Sequence, residues 1–398
     1  MTKVSTKVAV VAATRTPIGT FQKAFATVPA DHLGAITIAE VVTRGGVEAS
    51  QVDEVLMGQV YSTGSGANPA RQAAVRAGLG YEVPATTVNM LCGSGLKAVA
   101  LAAQSIRSGQ SKMIIAGGME SMSNAAYVVP NARFGLRMGH QQIVDTLIHD
   151  ALWDAFYDCH MGCTAEHLAA KFDISRAAQD HFAVLSQQRY QAALKAGRFE
   201  QELVPVSVQQ RRGDPIIVSQ DEHPRGDTQY EKLSGLKPCF QEGGTVTAAN
   251  ASGLNDGAAA LLLVSESEVR ELGLKPLAWI RSFCNVGLDP MEMGMGPAVA
   301  ITKLLQNESL TLADIDLLEV NEAFAAQALS VGKALDWDIE RLNVNGGAIA
   351  LGHPLGASGA RVAVTLLHEM QKRQSRLGIA ALCIGGGMGI AMLFENAE

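Results

Sequence analysis

The sequence predicts an α/β fold built from two copies of one layered unit, with a long insertion in the first copy. Three observations carry this prediction: buried strands alternate with helical segments, short motifs recur at a nearly constant spacing, and the first copy is interrupted where the second continues. With 398 residues, of which 47% are hydrophobic and 18% charged, the chain is long enough for two or three domains with substantial cores.

Apolar runs and helical patterns alternate through the first 120 residues. In chain order they predict a strand at 8–13, a helix at 32–44, a strand at 52–58, a helix opening at 68–72, a buried strand at 85–91, a helix at 96–106 and a strand at 113–116. Such alternation is typical of α/β proteins.

Three motifs of the second half repeat motifs of the first half in the same order. The matching pairs are 315–320 with 52–57, 358–364 with 94–100, and 385–388 with 116–119, at offsets of 263, 264 and 269 positions. Each match alone is weak, but a shared order with a nearly constant offset indicates a duplicated domain.

The duplication also predicts where the first copy is interrupted. The second copy ends with a strand at 390–394 directly after its glycine run, whereas the first copy reaches the equivalent strand only at 257–264. Residues 121–252 are therefore predicted to be an inserted loop domain over the mouth of the site. The predicted N-terminal repeat is 1–120 plus 253–274, and the predicted C-terminal repeat is 275–398.

Charge and cysteine usage exclude several classes of protein. A formal net charge of -7 argues against a general binder of nucleic acid or membrane surfaces, so an anionic ligand would need a local basic patch. Six cysteines spread over this length do not form a disulfide framework. The first residues carry no signal-peptide core and no apolar run of about 18 residues occurs, so we expect a cytoplasmic protein without a membrane partner.

Cys92 is the strongest candidate for a nucleophile. It lies between a predicted strand and a predicted helix, and Gly93 and Gly95 follow it. The unpaired N–H groups and the dipole at a helix start favour a thiolate, so we expect a lowered pKa. The alternative is a small core residue, which is common for cysteine, but core packing has no need of the two glycines.

Three later motifs carry the other candidate residues. His353 lies in a glycine-rich loop before a helix, where the first copy carries Cys92, and it is the candidate base. Cys383 ends a buried strand, and the N–H groups of the following 385–387 could form an oxyanion hole. Asn321 also follows a strand and could orient a water or a carbonyl. Each has an alternative: His353 could be a structural histidine, Cys383 a core cysteine, the glycine run 385–387 a phosphate loop, and Asn321 a turn cap.

Two further patterns point to chemistry that the sequence disfavours. Cys159, His160, Cys163 and His167 cluster in sequence, but four converging ligands and a paired CxxC are lacking, so a zinc site is disfavoured. The stretch 64–66 lacks a third glycine and a following helix, so it is a poor dinucleotide-binding fingerprint.

Taken together, four blocks resemble the signature blocks of the thiolase family. They are 89–95 (NMLCGSG), 321–324 (NEAF), 352–354 (GHP) and 383–387 (CIGGG), with further matching stretches at 68–72, 116–122 and 250–257. The resemblance covers essentially the whole chain, and within the family it is greatest to the acetyl-CoA acetyltransferases. It implies two similar α/β halves in five layers (αβαβα), with a loop domain inserted in the first half.

The resemblance implies a reversible Claisen condensation of two acetyl-CoA molecules to acetoacetyl-CoA and CoA, through an acetyl group on Cys92. His353 would take the thiol proton and Cys383 would move the α-proton. The N–H groups of Cys92 and Gly385 would form one oxyanion hole, and His353 with a water held by Asn321 would form the other. No metal or redox cofactor is implied, because the thioester carbonyl makes the α-proton acidic.

The resemblance also assigns the inserted domain to coenzyme A. Arg225 would lie beside the adenosine-phosphate end, Ala248 and Ser252 along the pantetheine, and His160 and Met161 over the reacting thioester. It further implies a homotetramer, a dimer of dimers, that acts in fatty acid metabolism.

Acyl chain length is the finer question. The resemblance places Met161 and Met293 in the stretches that line the acyl pocket, where they would fill the space that a longer acyl tail needs, unless both are gap-filling core methionines. The alternatives are a β-oxidation 3-ketoacyl-CoA thiolase with long-chain preference and a catalytically silent CoA- or lipid-binding protein of the same fold. Retention of Cys92, His353 and Cys383 together argues against the silent protein.

Overall fold

The computed structural model describes residues 6–397. Residues 1–5 and residue 398 lie outside the described residues. The expectation of no signal peptide rests partly on residues 1–5. Within residues 6–397, no helix has the length and apolar character needed to cross a bilayer.

The secondary structure follows the alternation that the sequence predicts. The helices are α1 Ala30–Gly45, α2 Pro69–Arg76, α3 Ser94–Ser108, α4 Met161–Lys171, α5 Arg176–Lys195, α6 Tyr230–Ser234, α7 Glu266–Glu271, α8 Gly296–Glu308, α9 Ala325–Leu335, α10 Ala348–Leu351 and α11 Leu355–Arg373. The strands are β1 Val8–Arg15, β2 Gly19–Thr20, β3 Glu54–Gly58, β4 Ala85–Val88, β5 Met113–Ser121, β6 Tyr127–Val128, β7 Val144–Asp145, β8 Trp153–Asp154, β9 Cys159–His160, β10 Val206–Val208, β11 Ile216–Val218, β12 Asn255–Ser265, β13 Ala278–Gly287, β14 Leu317–Val320, β15 Leu377–Ile384 and β16 Met388–Asn396.

Over the described residues, the main sheet has ten strands, and its order mirrors the duplication. From edge to edge the order is β14, β15, β16, β13, β1, β12, β5, β3 and β4, with β2 paired to β12. The halves meet where β1 runs antiparallel to β13, with Val8 opposite Ile280. In the first half β3 is parallel to β5, which is antiparallel to β12; in the second half β14 is parallel to β15, which is antiparallel to β16. The duplicated unit predicted from the motifs is confirmed.

Two aspartates repeat the same contact in both halves. Asp53 accepts hydrogen bonds from the backbone N–H groups of 112–113, and Asp316 accepts them from the N–H groups of 376–377. In each half this carboxylate fixes the start of the long central strand. The repeat therefore includes local polar contacts as well as the apolar pattern.

Helices α3 and α11 pack against each other between the two halves of the sheet. A Cβ atom on Gly95 would lie 2.7 Å from the backbone N of Ala360, and a Cβ atom on Gly359 would lie 2.3 Å from the backbone N of Leu96. Each glycine therefore admits the backbone of the other helix, a close approach that a side chain would prevent. Gly95 thus serves helix packing rather than the turn that its sequence position suggests.

The layers agree with the five-layer arrangement that the resemblance implies. Helices α1 and α2 cover the outer face of the first half, α8 and α9 cover the outer face of the second, and α3 and α11 form the middle layer. Three large apolar clusters fill the spaces between these layers. Apolar strands buried on both faces are what this layering requires.

One strand prediction is partly wrong. The buried strand predicted at 85–91 is only Ala85–Val88, and it is mostly half-exposed because β4 lies at the edge of the sheet. The residues after it form a turn in which Leu91 has a left-handed φ of 47°. This turn leads directly into Cys92 and α3.

The insertion leaves the first half after Ser121, the last residue of β5, and returns at Asn255, the first residue of β12. These points lie close to the predicted limits of 121–252, and the exact domain bounds stay a prediction. Arg15, at the end of β1, anchors it. The buried Arg15 guanidinium donates hydrogen bonds of 2.6 Å to Glu202 and 2.7 Å to Asp221. The insertion is therefore held against the same end of the sheet at which β1 and β5 finish.

Candidate active site

A cleft with a volume of about 530 Å³ brings the predicted residues together. Cys92 precedes α3, His353 precedes α11, and Cys383 lies near the end of β15, so the starts of the two middle helices and one strand end converge there. The predicted residues that line the cleft are Cys92, His160, Met161, Arg225, Ala248, Ser252, Met293, His353, Cys383 and Gly385. Asn321 is the predicted residue that lies behind this lining, against His353.

The turn that carries Cys92 is tied by Ser94. The hydroxyl of Ser94 accepts a hydrogen bond of 2.8 Å from the N–H of Met90 and donates one of 2.6 Å to the carbonyl of Leu91. The positive φ of Leu91 then directs the next residue into the cleft. This strand, strained turn and helix resemble the way other enzymes expose a nucleophile.

The expected lowering of the Cys92 pKa is wrong. Burial raises the pKa of the Cys92 thiol to about 11, although hydrogen bonds from the N–H groups of Gly385 and of Cys92 itself act in the opposite direction. Desolvation of the thiolate outweighs two backbone donors. Cys92 is therefore a thiol at rest, and its proton would have to be removed for it to act as a nucleophile.

The contacts of His353 define its tautomer. Its Nδ1 lies 2.6 Å from the hydroxyl oxygen of Ser358, and this hydroxyl donates to the carbonyl of Pro354 at 2.8 Å. Because the single hydroxyl proton is used there, the oxygen accepts from Nδ1–H, and the lone pair of Nε2 stays available. The backbone N–H of His353 donates to Asn255 at 2.9 Å, which fixes the loop.

His353 is a neutral imidazole in this environment. Burial lowers the pKa of His353 to about 3, and the charge of Arg361 contributes in the same direction. A neutral ring whose Nε2 carries no proton can accept one from Cys92, whereas an imidazolium could not. Thiol and imidazole are thus paired as neutral groups rather than as an ion pair.

Asn321 follows β14 and is fully buried. Its Nδ2 lies 3.3 Å from Nε2 of His353, so the amide donates toward the lone pair of the ring. Its Oδ1 is buried and has no hydrogen-bond partner among the described residues. Buried polar atoms are rarely left unpaired, so this oxygen is suited to accept a hydrogen bond from a water.

Cys383 is almost fully buried and belongs to an apolar cluster with Met161, Met293 and Phe324. Burial raises the pKa of the Cys383 thiol, and the neighbouring Cys92 adds to this effect. A thiolate formed in such a place is a strong base because its negative charge is poorly solvated.

The glycines after Cys383 form a tight turn between the antiparallel strands β15 and β16. Gly386 and Gly387 have φ values of 76° and 78°, which a residue with a side chain rarely adopts. Gly385 directs its N–H to the sulfur of Cys92. The phosphate-loop alternative is therefore wrong, because no helix begins at this run.

The residues expected to contact coenzyme A lie on the insertion and its return. The N–H of Arg225 donates to Gln187 on α5 at 2.8 Å, and the N–H of Ser252 donates to the carbonyl of Ala323 at 3.0 Å. Ser252 thereby joins this wall to the segment that holds Asn321. Ala248 lies between Arg225 and Ser252 in the chain and lines the same cleft.

His160 and Met161 open α4 at the inner wall. Nδ1 of His160 accepts the N–H of Gly162 at 3.0 Å, so this side chain caps the helix, and its ring stacks on Phe240 at 4.7 Å. A Cβ atom on Gly162 would lie 2.2 Å from the ring of Phe240, so a glycine is needed there. Burial lowers the pKa of His160, which favours an uncharged wall.

The cleft is also lined by residues that the sequence did not predict for it, among them two aromatic rings and a histidine. Phe240 packs edge-on against Phe324 with ring centroids 6.2 Å apart, and both rings line the cleft beside the methionines. His223 lies two residues before Arg225, and burial lowers its pKa to about 4. Phe324 was within a recognised block, but nothing in the sequence singled out Phe240 or His223.

The sulfur- and nitrogen-rich stretch divides between two places. His160 faces the main cleft, whereas Cys159, Cys163 and His167 line a separate surface pocket. Across residues 6–397, no group of three or more His, Cys, Asp or Glu side chains is placed to hold a metal ion.

Comparisons with known proteins agree with this geometry. Residues 8–267 match the family description "Thiolase, N-terminal domain", and residues 274–396 match "Thiolase, C-terminal domain". The chain is 54% identical to the acetyl-CoA acetyltransferase of Cupriavidus necator over 98% of this chain and 100% of the relative. It is 56% identical to the acetyl-CoA acetyltransferase of Pseudomonas aeruginosa, over 97% of this chain and 98% of that one.

A solved structure has the same fold. The crystal structure of the Bacillus anthracis acetyl-CoA acetyltransferase superimposes with a TM-score of 0.97 at 45% identity and covers 99% of each chain. Family match, sequence identity and fold lead to one conclusion: the chain belongs to the thiolase family.

Proposed function

We propose that this chain is an acetyl-CoA acetyltransferase, which condenses two acetyl-CoA molecules to acetoacetyl-CoA and CoA and also catalyses the reverse thiolysis. One observation carries the proposal: Cys92, His353 and Cys383 line a single cleft, and the N–H of Gly385 is directed at the Cys92 sulfur. The names of the full-length relatives support the same activity.

Acylation is the first proposed step. The sulfur of Cys92 attacks the thioester carbonyl while Nε2 of His353 takes the thiol proton. The carbon–sulfur bond to CoA breaks, and the proton passes from His353 to the departing CoA thiolate. The low pKa of His353, about 3, favours this return of the proton over its retention. The N–H groups of Cys92 and Gly385 stabilise the oxyanion that forms on the carbonyl.

Condensation is the second step. Cys383, as a thiolate, removes an α-proton from a second acetyl-CoA, and the resulting enolate carbon attacks the acetyl group on Cys92. The new carbon–carbon bond displaces the Cys92 sulfur, which takes up the proton that Cys383 removed, so that both thiols return to their starting forms. A water held by Oδ1 of Asn321 stabilises the enolate oxygen, whereas the contribution expected of His353 requires a proton on Nε2 that this tautomer lacks. This chemistry requires no metal and no redox cofactor, because every step moves only protons and an acyl group.

In thiolysis the roles reverse. The Cys92 sulfur attacks the 3-keto carbon of acetoacetyl-CoA as His353 takes its proton, the carbon–carbon bond breaks, and the Cys383 thiol gives its proton to the enolate carbon of the departing acetyl-CoA. Cys383 then takes the thiol proton of CoA, whose sulfur attacks the acetyl group on Cys92, and the released Cys92 sulfur takes the proton back from His353. The buried position of Cys383 suits both directions, because an unsolvated thiolate is the stronger base.

Coenzyme A is proposed to enter across the insertion. Arg225 is an exposed cation of the cleft and suits the phosphates at the adenosine end, while Ala248 and Ser252 line the same cleft and suit the pantetheine. His160 and Met161 close the inner end over the thioester. In this proposal the insertion is the CoA-binding domain, and the two repeats supply the reacting groups.

Short acyl chains are the proposed preference. Met161 and Met293 are 7% and 3% exposed and lie beside Phe240 and Phe324 in one apolar cluster around Cys383. A longer acyl tail would have to displace these side chains, and overpacking a filled space is unfavourable. A thiolase with long-chain preference is the alternative that this wall disfavours.

A homotetramer is the proposed assembly. The insertion exposes large apolar side chains on 127–157, a pattern typical of protein contact surfaces. They include Tyr127, Phe134, Leu136, Met138, Ile143 and Phe156. The proposed location in the cytoplasm and role in fatty acid metabolism rest on the composition and the family resemblance.

The test of the proposed function is the thiolysis assay. Purified protein mixed with acetoacetyl-CoA and CoA should produce two acetyl-CoA per cleavage, and acetyl-CoA alone should yield acetoacetyl-CoA and CoA. Cys92→Ala should abolish both reactions while leaving the fold intact. Turnover by the wild type that equals turnover by Cys92→Ala would refute the proposal.

A further inference from the structure

We propose that Glu120 is a positioning residue that holds the loop of His353 against the rest of the catalytic centre. The inference rests on the proposed function, because it concerns the base of that reaction. Glu120 lies near the end of β5 with a fully buried side chain, and it touches none of the reacting atoms in the proposed steps.

The carboxylate of Glu120 accepts three backbone hydrogen bonds. Its Oε2 accepts from the N–H of Val60 at 3.0 Å and from the N–H of Gly356 at 2.9 Å, and its Oε1 accepts from the N–H of Tyr61 at 3.3 Å. These bonds join three parts of the chain: β5, the segment after β3, and the first turn of α11.

Gly356 connects Glu120 to the catalytic base. It follows His353 by three positions, and Pro354 lies between them, so the loop has little freedom to adjust. A Cβ atom on Gly356 would lie 2.7 Å from the Cα of Gln59 and 2.9 Å from Oε2 of Glu120. The absence of a side chain at residue 356 is therefore what allows the carboxylate to reach the helix N–H.

The duplication shows that the two middle helices use their starts differently. Gly356 lies 264 positions after Cys92, the same offset that relates Gly359 to Gly95. Just before α3 begins, the N–H of Cys92 faces its own sulfur. At the start of α11 a carboxylate of the protein itself, that of Glu120, takes the place that a helix start offers to an anion.

The same carboxylate also fixes one wall of the cleft. Tyr61, whose N–H is bound by Glu120, donates its hydroxyl to the carbonyl of Leu147 at 2.9 Å, and Leu147 lines the cleft. Loss of Glu120 would therefore release the base loop and loosen the Tyr61 contact together. A displacement of about 1 Å at a reacting group can cost about 10²-fold in rate.

Burial raises the pKa of Glu120 to about 7, so above this pH the side chain carries a charge as well as accepting hydrogen bonds, and two variants separate these. In Glu120→Gln the amide oxygen can still accept from Val60 and Gly356, but the negative charge is lost. In Glu120→Ala every acceptor is lost, and three buried N–H groups are left unpaired. A positioning role predicts that Glu120→Gln keeps most of the kcat that Glu120→Ala loses.

The experiment measures kcat and KM for acetoacetyl-CoA thiolysis in both variants and in Asp316→Ala. Asp316 is the matched control, because it also accepts two backbone N–H groups but does so at the opposite end of β15 from Cys383. We expect kcat of Glu120→Ala to fall by about 10²-fold with KM nearly unchanged, whereas Glu120→Gln and Asp316→Ala stay near the wild-type kcat. Should Glu120→Ala fail to fold, Glu120→Asp, which is one methylene too short to reach Gly356, replaces it with the same expectation.

Alkylation of Cys92 by iodoacetamide provides a readout without substrate. The charge of Glu120 raises the pKa of Cys92, so Glu120→Gln should be alkylated faster than the wild type at pH 8. The inference would be overturned if Glu120→Ala kept the wild-type kcat, or if Glu120→Gln lost as much kcat as Glu120→Ala. It would also be overturned if the substitutions raised KM and left kcat unchanged. An inactive wild type would instead refute the proposed function, so the two failures are distinguishable.

Discussion

The Nε2 atom of His353 lies 3.3 Å from the Nδ2 atom of Asn321, and both side chains are buried. On the other side of the ring, Nδ1 donates to Ser358, whose own proton is used by the carbonyl of Pro354. This chain of donors leaves one lone pair on the imidazole, and it lies on the side of Asn321. The orientation of the base is thus set by a helix turn and one amide.

The first prediction concerns Ser358. In Ser358→Ala the ring loses the acceptor that fixes its tautomer, so kcat for thiolysis should fall about 10–100-fold while KM changes little. Ser330→Ala is the control, because Ser330 also donates to the carbonyl four residues earlier, Ala326, at 2.8 Å on α9. Equal effects of the two substitutions on kcat would show that the Ser358 contact serves stability alone.

The second prediction concerns the pH dependence of Cys92 alkylation. With a Cys92 pKa of about 11 and a His353 pKa of about 3, the thiolate fraction rises with pH throughout the neutral range. The rate of reaction with iodoacetamide should therefore rise about tenfold per pH unit between about pH 7 and pH 10. Peptide mapping has to separate Cys92 from the exposed Cys239. A plateau from pH 6 to pH 8 would instead indicate a thiolate–imidazolium pair.

The sequence predicted that the candidate residues lie at strand ends and helix starts, and the structure brings Cys92, His353 and Cys383 into one cleft there. Cys92, His353 and Cys383 each lie within two residues of a glycine, and the repeat offset of 264 places Cys92 opposite Gly356, three positions after His353. The wall residues Met161 and Met293 were found through the family resemblance.

Other features depend on contacts between distant segments and could not be predicted from local patterns. The Cys92 pKa rises because the surrounding chain buries the thiol, which no helix-dipole argument includes. Phe240 reaches the cleft from a loop 148 positions after Cys92. The packing role of Gly95 requires Ala360 opposite it.

The third prediction separates the two thiols from the base. Cys383→Ser should still become acetylated by acetyl-CoA but should not exchange the α-protons of bound acetyl-CoA with deuterium from solvent. His353→Ala should be slow in acetylation itself, because the thiol proton then has no acceptor. Both quantities can be followed by mass spectrometry. If both variants are acetylated at the wild-type rate, the roles assigned to His353 and Cys383 are wrong.

The fourth prediction concerns acyl chain length. Each additional methylene would gain about 0.8 kcal/mol from burial, but Met161, Met293 and the two rings already fill the space around Cys383. The value of kcat/KM should therefore fall from 3-ketoacyl-CoA substrates with a four-carbon acyl chain to those with six, eight and sixteen carbons. Met293→Ala should raise the value for the six-carbon substrate relative to the four-carbon one. A flat or rising wild-type profile would favour the long-chain thiolase instead.

The most direct test of the account is the intact mass of the protein after brief exposure to acetyl-CoA. We predict one acetyl group per chain, located on Cys92 by peptide mapping, absent from Cys92→Ala and removed when CoA is added. The two N–H groups at the Cys92 sulfur and the neutral His353 beside Asn321 are the features that make this adduct accessible. An unmodified chain, or an acetyl group found only on another cysteine such as Cys239, would contradict the assignment of Cys92 as the nucleophile.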